Sequence, residues 1–205
     1  MSKKPLVYLD YGHYIGINGH CSPDGQLHEY LVVRQIGKYL KEKLKKAGIA
    51  VRITHPELFC LDSRENDLSE RCIRANNWYS KDNTDHECIF VSLHTDAAAS
   101  IGWSDASGCT FHVCSKCSVK SKTLQGSYLR MFNYYNLLGN RKGAARVNDF
   151  YVLKHTKMPA ILVENLFITN KDDCKVLSNI NEDNRLVVAH FAAIRDYFVS
   201  IGADL

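Results

Sequence analysis

Short apolar runs alternate with helical stretches along nearly the whole of this 205-residue chain. That alternation limits the fold more than any other feature. Residues 6–9 read as a buried strand, 50–54 as a second, 88–93 as a third and 109–114 as a fourth. Residues 150–153 read as a short strand and 160–163 as a strongly apolar one. Between them, residues 27–47 carry Val33, Ile36, Leu40, Leu44 and Ala47 at steps of three and four, the stripe of an amphipathic helix, with Gly48 as its stop. A helix to about Tyr79 is expected, with Asp67 or Ser69 as its cap. Another is expected over 119–138, and Asn184 is placed to cap a last one whose apolar face runs from Leu186 to Ile201. Strands that alternate with helices build an α/β domain, with a mostly parallel sheet covered on both faces.

Length and composition narrow the class further. A chain of this size buries one core without staples, so residues 1–205 are expected to form a single domain. No apolar run approaches the ~20 residues of a transmembrane helix. Aromatic residues make up 10% of the chain and apolar strands recur, which excludes a disordered chain. The net charge of +4 is too mild to indicate a nucleic-acid partner. The lysines of residues 38–46 are expected to form the solvated side of a helix. Met1-Ser2-Lys3-Lys4 leads straight into the first strand without a secretory apolar region. A protein made in the cytoplasm, or a processed form, is therefore expected, and most of the eight cysteines should be reduced.

In open α/β sheets, ligands gather beyond the carboxyl ends of the strands. Three strands here lead to chemically capable side chains at that edge. The first runs into Asp10-Tyr11-Gly12-His13, the third ends at His94, and the strand over 160–163 ends at Glu164. Glu29 opens the first helix four residues before Val33, so it shares the core-facing stripe. A carboxylate there is costly unless it is paired or bound to a cation. Two imidazoles and one carboxylate, His13, Glu29 and His94, make a common catalytic zinc set that leaves a coordination position for water. Glu164 would then be the proton carrier.

Each residue also has a plainer role open to it. A histidine at a strand end is often a satisfied core residue, Glu29 suits a helix N-terminus, and Glu164 suits a surface ion pair. Rival sites exist as well. His28 points about 100° away from Glu29 on a helix. His20 and Cys21 lie in a polar loop that can approach the same centre. His94-Thr95-Asp96 with His155 has the ligands of a two-histidine, one-carboxylate iron site. Cys109, His112, Cys114 and Cys117 have the makings of a small second metal site. A Cys/His hydrolase finds no cysteine at a strand-to-helix elbow.

Five segments in order resemble the zinc-dependent N-acetylmuramoyl-L-alanine amidases, the family of bacterial cell-wall amidases and phage endolysins. Leu9-Asp10-Tyr11-Gly12-His13 is similar to the family's D-x-G-H, and Glu29 stands where the family has its ligand glutamate. Leu68-Ser69-Glu70-Arg71 with Ala75-Asn76 resembles L-x-x-R…A-N. Val91-Ser92-Leu93-His94-Thr95-Asp96 resembles S-[IL]-H-[AT]-[ND]. Val152-Leu153 and Pro159-Ala160-Ile161-Leu162-Val163-Glu164, with Phe167 and Asn170, resemble the closing V-L…P-A-x-L-V-E-x-G-F-x-x-N. The resemblance runs from about residue 5 to 200.

It implies a three-layer α/β/α fold around a mostly parallel, mixed sheet. It implies Zn2+ on His13, Glu29 and His94, with Glu164 as the catalytic carboxylate. It also implies hydrolysis of the amide between N-acetylmuramic acid and L-alanine in peptidoglycan, and a monomer reaching the cell wall through a phage lysis system or another export route is expected. A zinc carboxypeptidase-like hydrolase and an inactive wall-binding module are the alternatives. Arg71, Ala75 and Asn76 read as structural. Two departures stand out: the family's glycine before Phe167 is Leu166, which leaves the turn after Glu164 open to a different course, and the loop from Tyr14 to Asn18 lacks the usual glycine-rich run.

Overall fold

The computed structural model describes residues 3–16, 20–61, 63, 66–98 and 102–204. Ile17 and Asn18 of the departing loop, and the opening Met1-Ser2, lie outside them. The strands are β1 (Lys4–Tyr11), β2 (Ala50–Ile53), β3 (His86–Asp96), β4 (Thr110–Val113), β5 (Ala145–Val147) and β6 (Ala160–Phe167). The helices are α1 (Glu29–Lys46), α2 (Asp67–Asp82), α3 (Val119–Tyr134), α4 (Tyr151–His155), α5 (Lys171–Leu177) and α6 (Arg185–Ser200). One six-stranded sheet has the order β2-β1-β3-β6-β4-β5. The first four strands of that order run parallel. β4 is antiparallel to β6 and parallel to β5, so the sheet is mostly parallel and mixed.

Strand alternation sorts the core into two layers. Val7, Leu9, Ile89, Val91, Phe111, Ile161 and Val163 meet α1, α3 and α6 in one apolar cluster. Leu6, Tyr8, Cys88, Phe90, Ala160 and Leu162 meet Cys72 and Ala75 of α2 and Val152 and Leu153 of α4 in the other. On the α2 side the same parity continues through Asp10, Ser92, His94 and Glu164, so the polar residues follow the apolar ones on one face at the carboxyl end of the sheet. The lysines of α1 lie on its outer side, with Lys38, Lys45 and Lys46 exposed.

The structure corrects several expectations. Residues 150–153 are not a strand. Phe150 precedes the helical turn α4, its carbonyl accepting from Leu153 N and Lys154 N. Consecutive Val152 and Leu153 are both buried in the same cluster, which a helical turn permits and strand alternation does not. Neither Asp67 nor Ser69 caps α2. Asn66 holds the cap position with no side-chain capping bond to the helix, and Asp67, inside the first turn, accepts from Leu61 N and pairs with Arg71. β3 and β6 also run past His94 and Glu164, which sit within the strands as register partners rather than beyond their ends. At the last helix, Asn184 does accept from Leu186 N.

Beneath the carboxyl edge lies a buried ion pair. Asp10 accepts from Arg71 Nη1 (3.2 Å), Thr54 Oγ1 (2.7 Å) and Ser92 Oγ (2.7 Å). Burial alone would raise its pKa, but Arg71, Thr54 and Ser92 together hold it below the usual carboxylate range. Arg71 also donates to the Tyr11 carbonyl, tying α2 to the end of β1. Ala75 is fully buried, and Asn76 bonds the His155 carbonyl and Lys157 N. All three residues of the L-x-x-R…A-N segment are thus structural.

Removing Arg71 leaves a buried carboxylate without its cation, a loss of about 3–5 kcal/mol. Arg71→Ala is therefore expected to shift urea unfolding by that amount, and adding Asp10→Asn is expected to recover part of it. Asp10's depressed pKa gives a contribution that is present above its unfolded pKa and lost as pH falls below it.

Candidate metal and catalytic site

Each strand delivers its side chain by a local device. After β1, Gly12 N donates to the Leu93 carbonyl (2.9 Å). A Cβ on Gly12 would lie 2.5 Å from His94 Cε1 and 2.7 Å from the Leu93 carbonyl oxygen, so only glycine lets the chain leaving β1 run this close to the end of β3 and its histidine. His13 follows with φ +58, in the left-handed region, which presents its ring at the sheet edge. Arg34 of α1 fixes that turn by donating to the His13 carbonyl (3.1 Å). On β3, a register shift between His94 and Asp96 kinks the strand where it pairs with β6, beside the His94–Glu164 pair.

Glu29 comes from the opposite layer. It is 2% exposed at the start of α1. Its Oε1 accepts from Thr95 N (2.9 Å) and lies 3.2 Å from His94 Nδ1. Its Oε2 lies 3.4 Å from His13 Nε2. His13, Glu29 and His94 each offer one ligand atom, and these atoms all lie within 4.8 Å of one another. They are the one such group among the described residues. His13 and His94 line a cleft of about 410 Å3 together with Glu164, His20, Arg71, Phe150 and Tyr151.

Over residues 7–196 the chain matches the family model described as N-acetylmuramoyl-L-alanine amidase. The chain belongs to that family. It is 28% identical to an endolysin of Bacillus phage SPP1 over 96% of this chain and 66% of the phage protein. It is also 28% identical to the N-acetylmuramoyl-L-alanine amidase LytC of Bacillus subtilis, over 95% of this chain and 37% of LytC. The chain thus spans about two thirds of one relative and little over a third of the other. The solved N-acetylmuramoyl-L-alanine amidase of Clostridium difficile 630 superimposes with a TM-score of 0.79 at 25% identity, covering 97% of this chain and 99% of that one. The three-layer fold is therefore the amidase fold.

In this amidase the donor set, two imidazole nitrogens and a carboxylate oxygen, fits a divalent ion of zinc's chemistry. Glu164 adds a second sign: its Oε2 is buried and has no hydrogen-bond partner, as expected of an oxygen reserved for a water or a substrate. The electrostatics follow from burial and proximity. Burial, with help from His94, pushes His13 down to about 3, so its ring is neutral. Burial would raise Glu29, but hydrogen bonds from His20 and His94 outweigh it, and the carboxyl stays ionised. Burial opposes the charge on His94, but the Glu29 carboxylate overrides it and raises the pKa. Glu164 is raised to about 8 by burial, partly offset by His94 and reinforced by Glu29 and Asp96.

Of the rival residues, His20 does reach the centre, 3.0 Å from Glu29 Oε2, and the other rival sites do not assemble. His28 is exposed, its ring 5.8 Å from that of Tyr30. Asp96 pairs with Arg141, while His155 stacks on Tyr151 at the surface. Cys109 is buried, and His112 bonds Thr110 and Asn148. These residues form no second metal group among those described. Leu166, the substitute for glycine, takes φ +62 and buries its side chain in the core, so the backbone here takes the left-handed conformation that glycine favours.

The alternation reading left Asn165, His190, Phe150 and Tyr151 out of the site. Asn165 donates to the His94 carbonyl and accepts from the buried His190, which anchors β3 from behind. Phe150 and Tyr151 line the cleft, a placement that their assignment to a strand concealed.

A carboxyl whose folded pKa lies near 8 against a reference of 4.5 favours the folded state at low pH. That contribution is complete below the unfolded pKa and is lost as pH rises towards 8. In metal-free protein, denaturant unfolding from pH 4.5 to 8 should show a decline in stability that is smaller in Glu164→Gln. Equal slopes in the two proteins would contradict the assigned environment.

Proposed function

We propose that residues 1–205 form a single catalytic domain that hydrolyses the amide between N-acetylmuramic acid and L-alanine in peptidoglycan. His13, Glu29 and His94 hold Zn2+, and Glu164 is the catalytic carboxylate. Family membership supports the enzyme class. The observation that carries the site reading is the meeting of three ligand atoms beside a carboxylate with an unpartnered buried oxygen. The bound ion supplies Lewis acidity, acidifying water and polarising the amide carbonyl.

The chain's own residues do the rest. Neutral His13 and ionised Glu29 are already in the protonation states a metal requires, whereas the raised pKa of His94, caused by the Glu29 carboxylate, works against the neutral ring that a ligand needs. Glu164, on the row of His94 in the adjacent strand, accepts the proton of the attacking water. That proton then passes to the L-alanine nitrogen as the amide bond breaks. Apolar side chains of Leu68, Phe150, Val152 and Leu162 share the lining of the cleft with His13, His94 and Glu164.

The setting belongs to the same proposal: a monomer acting on the cell wall, reached through a phage lysis system or another export route. No helix among the described residues is long and apolar enough to cross a membrane.

Two experiments test the reading. Glu164→Gln should keep stoichiometric zinc and lose about 10²–10⁴-fold in amide cleavage. The assay is mass spectrometry of digested sacculi, in which cleavage releases peptides beginning at L-alanine. Near-wild-type release by the variant would remove Glu164 from the mechanism. Chelation should abolish cleavage and added zinc should restore it, with metal content measured on the same samples. Full activity at a metal content near zero would overturn the metal assignment.

A further inference from the structure

One imidazole at this centre has no role in the scheme above. His20 Nδ1 lies 3.0 Å from Glu29 Oε2, and its ring stacks on that of His13 with centroids 3.8 Å apart. Since a carboxylate only accepts, Nδ1 is the donor.

The position of His20 is built by its surroundings. Its carbonyl accepts from Glu29 N (2.9 Å), and the next residue, Cys21, makes an antiparallel bridge with His28. The turn between them is closed by its own side chains. Ser22 Oγ donates to Asp24 and accepts from Leu27 N, Gln26 N donates to Asp24, and Gly25 takes φ +71. Residues 21–28 therefore form a fixed hairpin that returns His20 to the helix start from which Glu29 projects.

From this geometry we infer that His20 is a positioning residue for the metal centre, orienting the Glu29 carboxylate through an Nδ1–H donor. Two of the four nitrogens around Glu29, His13 Nε2 and His94 Nδ1, come from residues of the ligand group. The other two, Thr95 N on Oε1 and His20 Nδ1 on Oε2, are free to act as donors. One donor on each oxygen fixes the plane of the carboxylate and leaves a lone pair directed at the ion. Outer-shell donors of this kind hold ligand orientation, and losing one typically costs 10–100-fold in metal affinity.

The inference rests on the zinc reading proposed above, and zinc affinity tests the two separately. Competition titration of zinc against a chromophoric chelator should show His20→Ala binding about 10–100-fold more weakly than wild type. His20→Asn, whose side-chain amide offers a donor near the place of Nδ1, should recover most of that loss. The visible spectrum of the Co2+-loaded protein should be the same in His20→Ala as in wild type, because the ligand count does not change.

Affinity of His20→Ala within twofold of wild type would overturn the inference, as would failure of His20→Asn to recover. A Co2+ spectrum altered by loss of a nitrogen ligand would also overturn it and make His20 a ligand. If wild-type protein takes up no zinc at all, it is the metal reading itself that fails.

Discussion

A carboxylate held almost wholly out of water, on the inward face of α1, is the constraint around which this end of the molecule is organised. Glu29 could sit there neutral, but four nitrogens converge on its two oxygens, and they keep it charged against the cost of burial. A buried anion of this kind is tolerated only with strong partners. Those partners come from β1, β3 and the hairpin before α1, so the anion fixes where three separate segments end. The same negative charge raises His94 against the effect of burial and adds to the upward push that burial gives Glu164.

Below that centre, a second buried charge has a purely mechanical task. Asp10 and Arg71 face one another between the sheet and α2, with Thr54 and Ser92 completing the carboxylate's hydrogen bonds. Because Arg71 also reaches the Tyr11 carbonyl, the pair locks β1 just before Gly12 and His13. The two buried anions differ in one telling respect. Asp10 has a guanidinium and two hydroxyls, and its oxygens are satisfied within the protein. Glu29 is surrounded by imidazoles, which serve equally as hydrogen-bond donors and as metal ligands.

Much of this was legible in the sequence, and the limits have physical causes. The apolar runs located β1, β3 and β6 because fully buried parallel strands leave continuous hydrophobic stretches. Glu29 was legible because helical spacing put a charge on a core-facing stripe. The pairing of His94 with Glu164 was not, because register between strands far apart in the chain depends on sheet order, which periodicity does not encode. Residues 150–153 failed for a local reason: two adjacent apolar residues fit a strand as well as a helical turn, and only the shared cluster of Val152 and Leu153 separates the two. His20 was visible as a nearby loop histidine, but its contact with Glu29 depends on a hairpin whose side-chain bonds have no periodic signal.

Strain in the backbone follows the same geography. Among the described residues, the left-handed conformation is taken by three non-glycine residues, and two of them, His13 just after β1 and Leu166 on β6, flank the site. Each costs of the order of 1–3 kcal/mol and persists only where its surroundings over-determine it. For His13, the restraint is Arg34 on its carbonyl and the close approach of Gly12 to His94. For Leu166, it is a side chain buried in the α1/α3/α6 cluster, which opposes any return to an extended course. Glycine would relax the backbone at Leu166 but would forfeit that anchor. The leucine therefore exchanges backbone ease for core packing at a point two residues after Glu164, holding the end of β6 through the core behind the carboxylate.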